Sequence, residues 1–242
     1  MLALHPIDDR LYVGRSMAAV NPPRRIGVIE RSDMSVDELD VFYPRPHAIA
    51  VHPTGEWIYS ASLAANQMST VNASTDDLQL TTLEGDTHTL VQFAVSPDGQ
   101  TLVGTGQLTG LCLVFDLTDP GAPVLTNTIE VGAHPWHPVF TPGGRFVYFG
   151  NKMANTVTVI DVETMTVAKV IEHEGIAQPH GSAVSPDGTR VFVSSNNTGT
   201  SAGGAEGAPP GMVTVIDTGT QEVLKVIEVG PNATGLGIRP AS

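Results

Sequence analysis

The chain lacks most of what marks the common enzyme and membrane classes. It has one cysteine, Cys112, so an internal disulfide and a cysteine-based zinc cluster are both excluded. That thiol lies in the apolar run Leu111-Cys112-Leu113-Val114-Phe115, where a buried, inert side chain is expected rather than a nucleophile. Basic residues are scarce: 12 Lys and Arg face 25 Asp and Glu, for a net charge of −13. Such a surface repels phosphate backbones and anionic bilayers, which argues against nucleic-acid and membrane-surface partners. The one basic cluster, Arg24-Arg25, is too small to reverse that. No apolar run has the length needed to cross a bilayer, so no membrane span is expected. The opening residues MLALHPIDDR carry neither a charged leader nor a long apolar core, so no secretory signal is visible, although a segment cut from an exported parent would look the same. Walker, Rossmann and HExxH patterns are absent.

What the chain has in quantity is turn formers, 25 glycines and 18 prolines in 242 residues. They suit many short strands joined by tight turns, and the length suffices for a core without staples. One phrase recurs: HPIDDRLYV from His5, HPTGEWIYS from His52, SPDGQTLVG from Ser96, TPGGRFVYF from Thr141 and SPDGTRVFV from Ser185. A sixth copy begins at Arg239. The landmark prolines Pro6, Pro53, Pro97, Pro142, Pro186 and Pro240 are spaced by 47, 44, 45, 44 and 54 residues. A nearly fixed period of this size means stacked supersecondary units sharing a continuous core.

The phrase has a local cause. In Ser185-Pro186-Asp187-Gly188 the proline supplies the φ a type I turn needs and glycine follows at its last position. Alternating β-branched runs such as Met212-Val213-Thr214-Val215-Ile216 flank the turns and read as strands; no segment reads as a helix. Each period is therefore a four-stranded antiparallel unit, the blade of a β-propeller. The Gly-His and Trp-Asp signatures of WD40 repeats are missing. The pattern PHGSAVSPDGTRVFVSSNN followed by VTVIDTGTQEVLKVIEVG resembles the YVTN-type β-propeller repeat family, sharply in the last two periods and weakly over residues 1–85. The resemblance implies an all-β propeller and, for its members, an extracytoplasmic setting, periplasmic or extracellular.

Five full blades are expected, at residues 1–45, 46–87, 88–133, 134–177 and 178–232, in a single domain 1–242. An extra inner strand follows in 233–242, at Gly235-Leu236-Gly237-Ile238. A closed five-bladed ring has no place for it. Because the resembled family commonly has about seven blades, the expectation is a piece of a larger propeller, with open blade edges that invite self-association.

Aligning the copies on the landmark proline puts His47, Val91, Trp136, His180 and Thr234 at one position, six residues before it. These lie where strand D hands over to the inner strand A, at one mouth of the expected channel. Two readings follow. In the first, proline fixes the entry angle and the neighbouring ring packs between blades with a satisfied hydrogen bond. In the second, His47, His134, His137 and His180 converge as ligands for copper, zinc or iron, or flank a haem. That plan is similar to nitrous-oxide reductase and cytochrome d1 propellers. Val91 breaks the pattern, and His88 is out of register by three residues. The B-to-C loops of the same face add Arg15, Asn151, Lys152, Asn155, Asn196 and Asn197, which with Trp136 are the candidate ligand-binding residues. The segment GTSAGGAEGAPPG at 199–211 reads as a tolerated loop, with a lid as the alternative. Asp161 and Asp217 end strand C and are expected to cap turns rather than catalyse. The leading function is a non-catalytic binding propeller for a small-molecule ligand, a protein or a surface polymer. The alternatives are a metal- or haem-dependent redox enzyme at the histidines and, lowest, a lactonase-like hydrolase.

Overall fold

The computed structural model describes residues 1–17, 20–198 and 208–238. Every element among them is a strand. The first sheet holds β1 (Leu2–Leu4), β2 (Arg10–Val13), β3 (Arg25–Glu30) and β4 (Ser35–Asp40). The second holds β5 (Pro46–Val51), β6 (Trp57–Ser62), β7 (Gln67–Asn72) and β8 (Leu78–Thr82). The third holds β9 (Leu90–Val95), β10 (Thr101–Gly106), β11 (Leu111–Asp116) and β12 (Val124–Glu130). The fourth holds β13 (Val139–Phe140), β14 (Phe146–Asn151), β15 (Thr156–Asp161) and β16 (Thr166–Glu172), and the fifth β17 (Pro179–Val184), β18 (Arg190–Ser195), β19 (Gly211–Asp217) and β20 (Val223–Val229). In each sheet hydrogen-bonded neighbours are neighbours in sequence, so all five are four-stranded meanders of the kind a propeller uses as blades. The expected four-stranded antiparallel units, with strands paired in sequence order, are realised.

The chain divides into two compact units, Met1–Thr128 and Ile129–Ser242. In the first, Tyr12 and Ile26 pack with Tyr43, Ile49, Ile58 and Val71 between the first two sheets. Tyr59, Met68, Phe93, Leu102 and Phe115 fill the space between the second and third. Cys112 is fully buried, and burial pushes its thiol up to about 12, as expected of a packing residue. In the second unit Tyr148, Val157, Val159 and Ile171 meet Val191, Val193 and Ile216. Full burial of each such side chain is worth roughly 1.5–3 kcal/mol.

The A-to-B turns explain the recurring phrase. Gly55, Gly99, Gly144 and Gly188 all have φ between 72° and 79°, a region where an L side chain is strained. The Gly99 and Gly188 amides close their turns on the Ser96 and Ser185 carbonyls. Where histidine replaces serine it links neighbouring blades. His5 Nδ1 accepts from the Ile7 and Asp8 amides, which leaves Nε2–H to donate to the Gly55 carbonyl of the next blade at 2.8 Å. His52 repeats this with the Thr54 amide and the Gly99 carbonyl. A Cβ on Gly55 or Gly99 would sit 2.5 or 2.6 Å from those rings.

One expectation fails. Gly235–Ile238 forms no strand, because no following strand pairs with it and a β-strand is held by its neighbour's ladder. Its start still leans on the fifth blade, where Ser194 Oγ donates to the Thr234 carbonyl and Asn196 Nδ2 to the Ala233 carbonyl. Residues 199–207 and 239–242, which carry most of the expected loop-or-lid segment and the end of the extra strand, lie outside the described residues.

Candidate functional site

The D-to-A entries are built by one device repeated along the chain. Arg45, Thr89, His134 and Gln178 each stand two residues before the aligned position and each has φ between 54° and 57°. Non-glycine residues seldom adopt this left-handed corner. The carbonyl of each corner residue accepts an amide from the B-to-C loop of its own blade: Leu63, Gln107, Lys152 and Asn196, at 2.8–3.2 Å. The entry and the B-to-C loop are thereby held together in the second to fifth blades. Beyond the corner, the register of the inner strand slips at His47, near Val91 and at His180. Such bulges re-aim side chains.

In the first unit this geometry closes on itself. His47 Nδ1–H donates to the Val91 carbonyl of the neighbouring blade at 2.6 Å. Burial holds the imidazole well below its ordinary value, at about 4, so it is neutral at neutral pH. The His88 backbone amide donates to the Asn66 side-chain oxygen, and the His88 ring Nδ1 is 3.0 Å from the Thr109 hydroxyl. Arg15 is ion-paired to Glu38 on its own blade.

In the second unit the same positions carry a different set. Trp136 and His180 rings are 4.1 Å apart, His137 and His180 5.0 Å in an edge-on arrangement, and Trp136 and His137 5.5 Å. Lys152 Nζ stands 4.7 Å from the centre of the Trp136 ring. The Trp136 amide bonds the Gly150 carbonyl, which fixes the ring's origin. Its indole Nε1 is buried and has no hydrogen-bond partner among the described residues. Burial lowers the half-buried Lys152 ammonium below its ordinary value, and no carboxylate among the described residues forms an ion pair with it. A partly desolvated cation on an aromatic face attracts an anion more strongly than one in open water.

The asparagines singled out in the sequence serve the chain itself. Asn151 is fully buried and donates to the Thr156 and Thr158 hydroxyls at 2.9 and 2.7 Å. Asn155 accepts the Gln178 amide, Asn196 donates to Ala233 and Asn197 to Pro210. Of the seven candidate ligand residues, Trp136 and Lys152 come together over one another. Of the four histidines, His137 and His180 adjoin in the second unit, His134 forms the left-handed corner beside them, and His47 belongs to the first unit. Among the described residues no group of three or more His, Cys, Asp or Glu is arranged to hold a metal ion. Asp161 and Asp217 cap turn amides and accept from Arg145 and Arg190, the structural role expected of them.

No family model matches the sequence, and no curated protein matches it. Among solved structures the chain is similar to the hydrazine synthase of Kuenenia stuttgartiensis, with a TM-score of 0.74 and 19% identity. The likeness covers 95% of this chain and 65% of that one. At this identity it carries fold alone: with five four-stranded meanders, the chain is of the β-propeller class.

Proposed function

We propose that the chain is a YVTN-type propeller that acts as a binding protein, with a seat for a small anionic ligand at the entries and B-to-C loops of its fourth and fifth blades. Lys152 carries the reading. It is a cation with no carboxylate ion pair among the described residues, resting on Trp136 beside His180. A half-buried ammonium on an aromatic face is stabilised locally by an incoming carboxylate or phosphate, against the long-range repulsion of the acidic surface, and the Trp136 face offers stacking to a planar one. Thermal unfolding with benzoate, acetate and inorganic phosphate tests this, since a ligand that binds only the folded state raises Tm. The expected result is a saturable rise with benzoate that Lys152→Gln abolishes. No rise with any of the three, or an equal rise in the variant, contradicts the proposal.

A second reading, a copper, zinc or iron centre or a haem serving redox chemistry, is favoured by the 5.0 Å separation of the His137 and His180 rings. Two imidazoles would need water or a bound ligand to complete an ion's coordination. It predicts a Tm rise with copper or zinc that His180→Ala removes; an unchanged Tm counts against it.

A further inference from the structure

Inside the second unit the fourth blade receives the fifth on a face made by Tyr148, Val157, Val159 and Ile171, all buried. The fifth presents Val184, Val191, Val193, Ile216 and Val223 to it. Strand registers identify the counterparts of both sets on the two end blades. Phe192, Val213, Val215 and Ile227 stand on the fifth blade where the receiving face stands on the fourth. Leu4, Leu11, Val13, Ile29 and Val36 stand on the first blade where the presented face stands on the fifth. Every counterpart is apolar, yet these faces are open: Leu4 is 56% exposed, Val36 68% and Ile227 39%, and the remaining members are half-buried.

Charge follows the same correspondence. Lys169 on the fourth blade donates to the Thr220 carbonyl in the fifth blade's C-to-D turn. Lys225 occupies the register of Lys169, opposite Val215 as Lys169 is opposite Val159. The counterpart of Thr220 on the first blade is Asp33, since Gln221 and Met34 share the left-handed position next in each turn, with φ of 56° and 60°. Lys225 is exposed and has no ion pair among the described residues. We propose that chains associate head to tail, the first blade of one copy seating on the fifth blade of another through the chain's own blade-to-blade contact, with Lys225 meeting Asp33. The occupant is a second copy because that partner carries the complementary apolar set and the opposite charge at matched positions. Such a contact is heterologous, so it adds copies until a ring closes or growth continues. Ala233, Thr234 and Leu236 lie against Asn196, Ser194 and Gly181 of the fifth blade, and docking of an incoming first blade displaces this segment.

Light scattering after size exclusion, across a concentration series, tests this on the full chain. The expected mass is at least twice the 25.4 kDa of one chain, rising with concentration. Leu4→Glu and Ile227→Glu alter exposed positions, so both fold, as circular dichroism checks. Each alone is expected to be monomeric, because neither can dock on its own kind. Mixed together they are expected to stop at a two-chain species, since one intact face of each type remains. A wild type that stays monomeric at every concentration, variants that associate as it does, or a mixture that stays monomeric overturns the proposal. Lys225→Asp is expected to weaken association and to recover it when mixed with Asp33→Lys; an unchanged mass in the single variant removes the ion pair from the contact.

Discussion

The entry of the second blade and the entry of the fourth are made by the same backbone and end in opposite chemistry. Both turn a left-handed corner, at Arg45 and at His134, and both tie that corner to a B-to-C loop. In the first unit the aligned side chain, His47, is consumed by the Val91 carbonyl, and the loop residue bonded to the corner is the apolar Leu63. In the second unit the aligned side chain is Trp136, its neighbour is His180, and the loop residue is the cation Lys152. A repeat scaffold thus holds a position fixed while the side chain decides whether it closes an interior or offers a surface.

The shared backbone is where the comparison breaks most severely. A Cβ on Gly14 would lie 2.5 Å from the His47 carbonyl oxygen, and one on Gly150 would overlap Pro179. Gly14→Val and Gly150→Val are each expected to cost roughly 3 kcal/mol or more, since a packed blade contact cannot shift freely. Urea midpoints check this. A loss in one unit without the other would mean that the entries are not built alike.

The next effect separates the units by pH. His47 has its folded value lowered from 6.5 to about 4, chiefly by burial. The unfolded chain therefore takes up a proton that the folded chain refuses. Stability is fully present above pH 6.5, falls as pH drops toward about 4, and levels below it. The span corresponds to roughly 3 kcal/mol. His47→Gln is expected to flatten this part of the stability profile and to lower stability at neutral pH by about 1–2 kcal/mol through the altered bond to Val91. An unchanged slope between pH 4 and 6.5 in the variant contradicts a buried neutral His47.

The smallest stability effect is expected at the other entry. Lys152→Gln removes a cation–π contact worth about 0.5–1 kcal/mol and deletes no interior packing. Its stability should stay within about 1 kcal/mol of wild type while anion binding is lost. A large destabilisation would mean that Lys152 holds the fold rather than a ligand.

The architecture was legible because its causes are local. Proline and glycine at Pro186 and Gly188 fix a turn, and β-branched alternation through Val213, Val215 and Ile216 fixes strands. The extra strand at Gly235–Ile238 misled for the complementary reason: its pattern is local, but a strand needs a partner. The entry corner was not legible at all. Arg45, Thr89, His134 and Gln178 share one φ but no side-chain type, so nothing in composition signals it. The asparagines had the right chemistry for a polar pocket, and only the fold reveals that Asn151 and Asn196 are bonded within the chain. His5 and His52 appeared in the recurring phrase without a role, because their partner carbonyls lie 50 and 47 residues away. Trp136 and Lys152 were legible as residues of one face, the first from its place before the landmark proline and the second from its B-to-C loop, but their contact is a matter of the fold.

Each unit carries one tryptophan, Trp57 in the first and Trp136 in the second. The indole N–H resonances of a uniformly 15N-labelled chain, titrated with benzoate, therefore compare the two directly. The account predicts a saturable shift of the Trp136 signal, a still Trp57 signal, and no response from Trp136 once Lys152 is replaced by glutamine. A Trp136 signal that does not move, or that moves equally with and without the Lys152 ammonium, would contradict it.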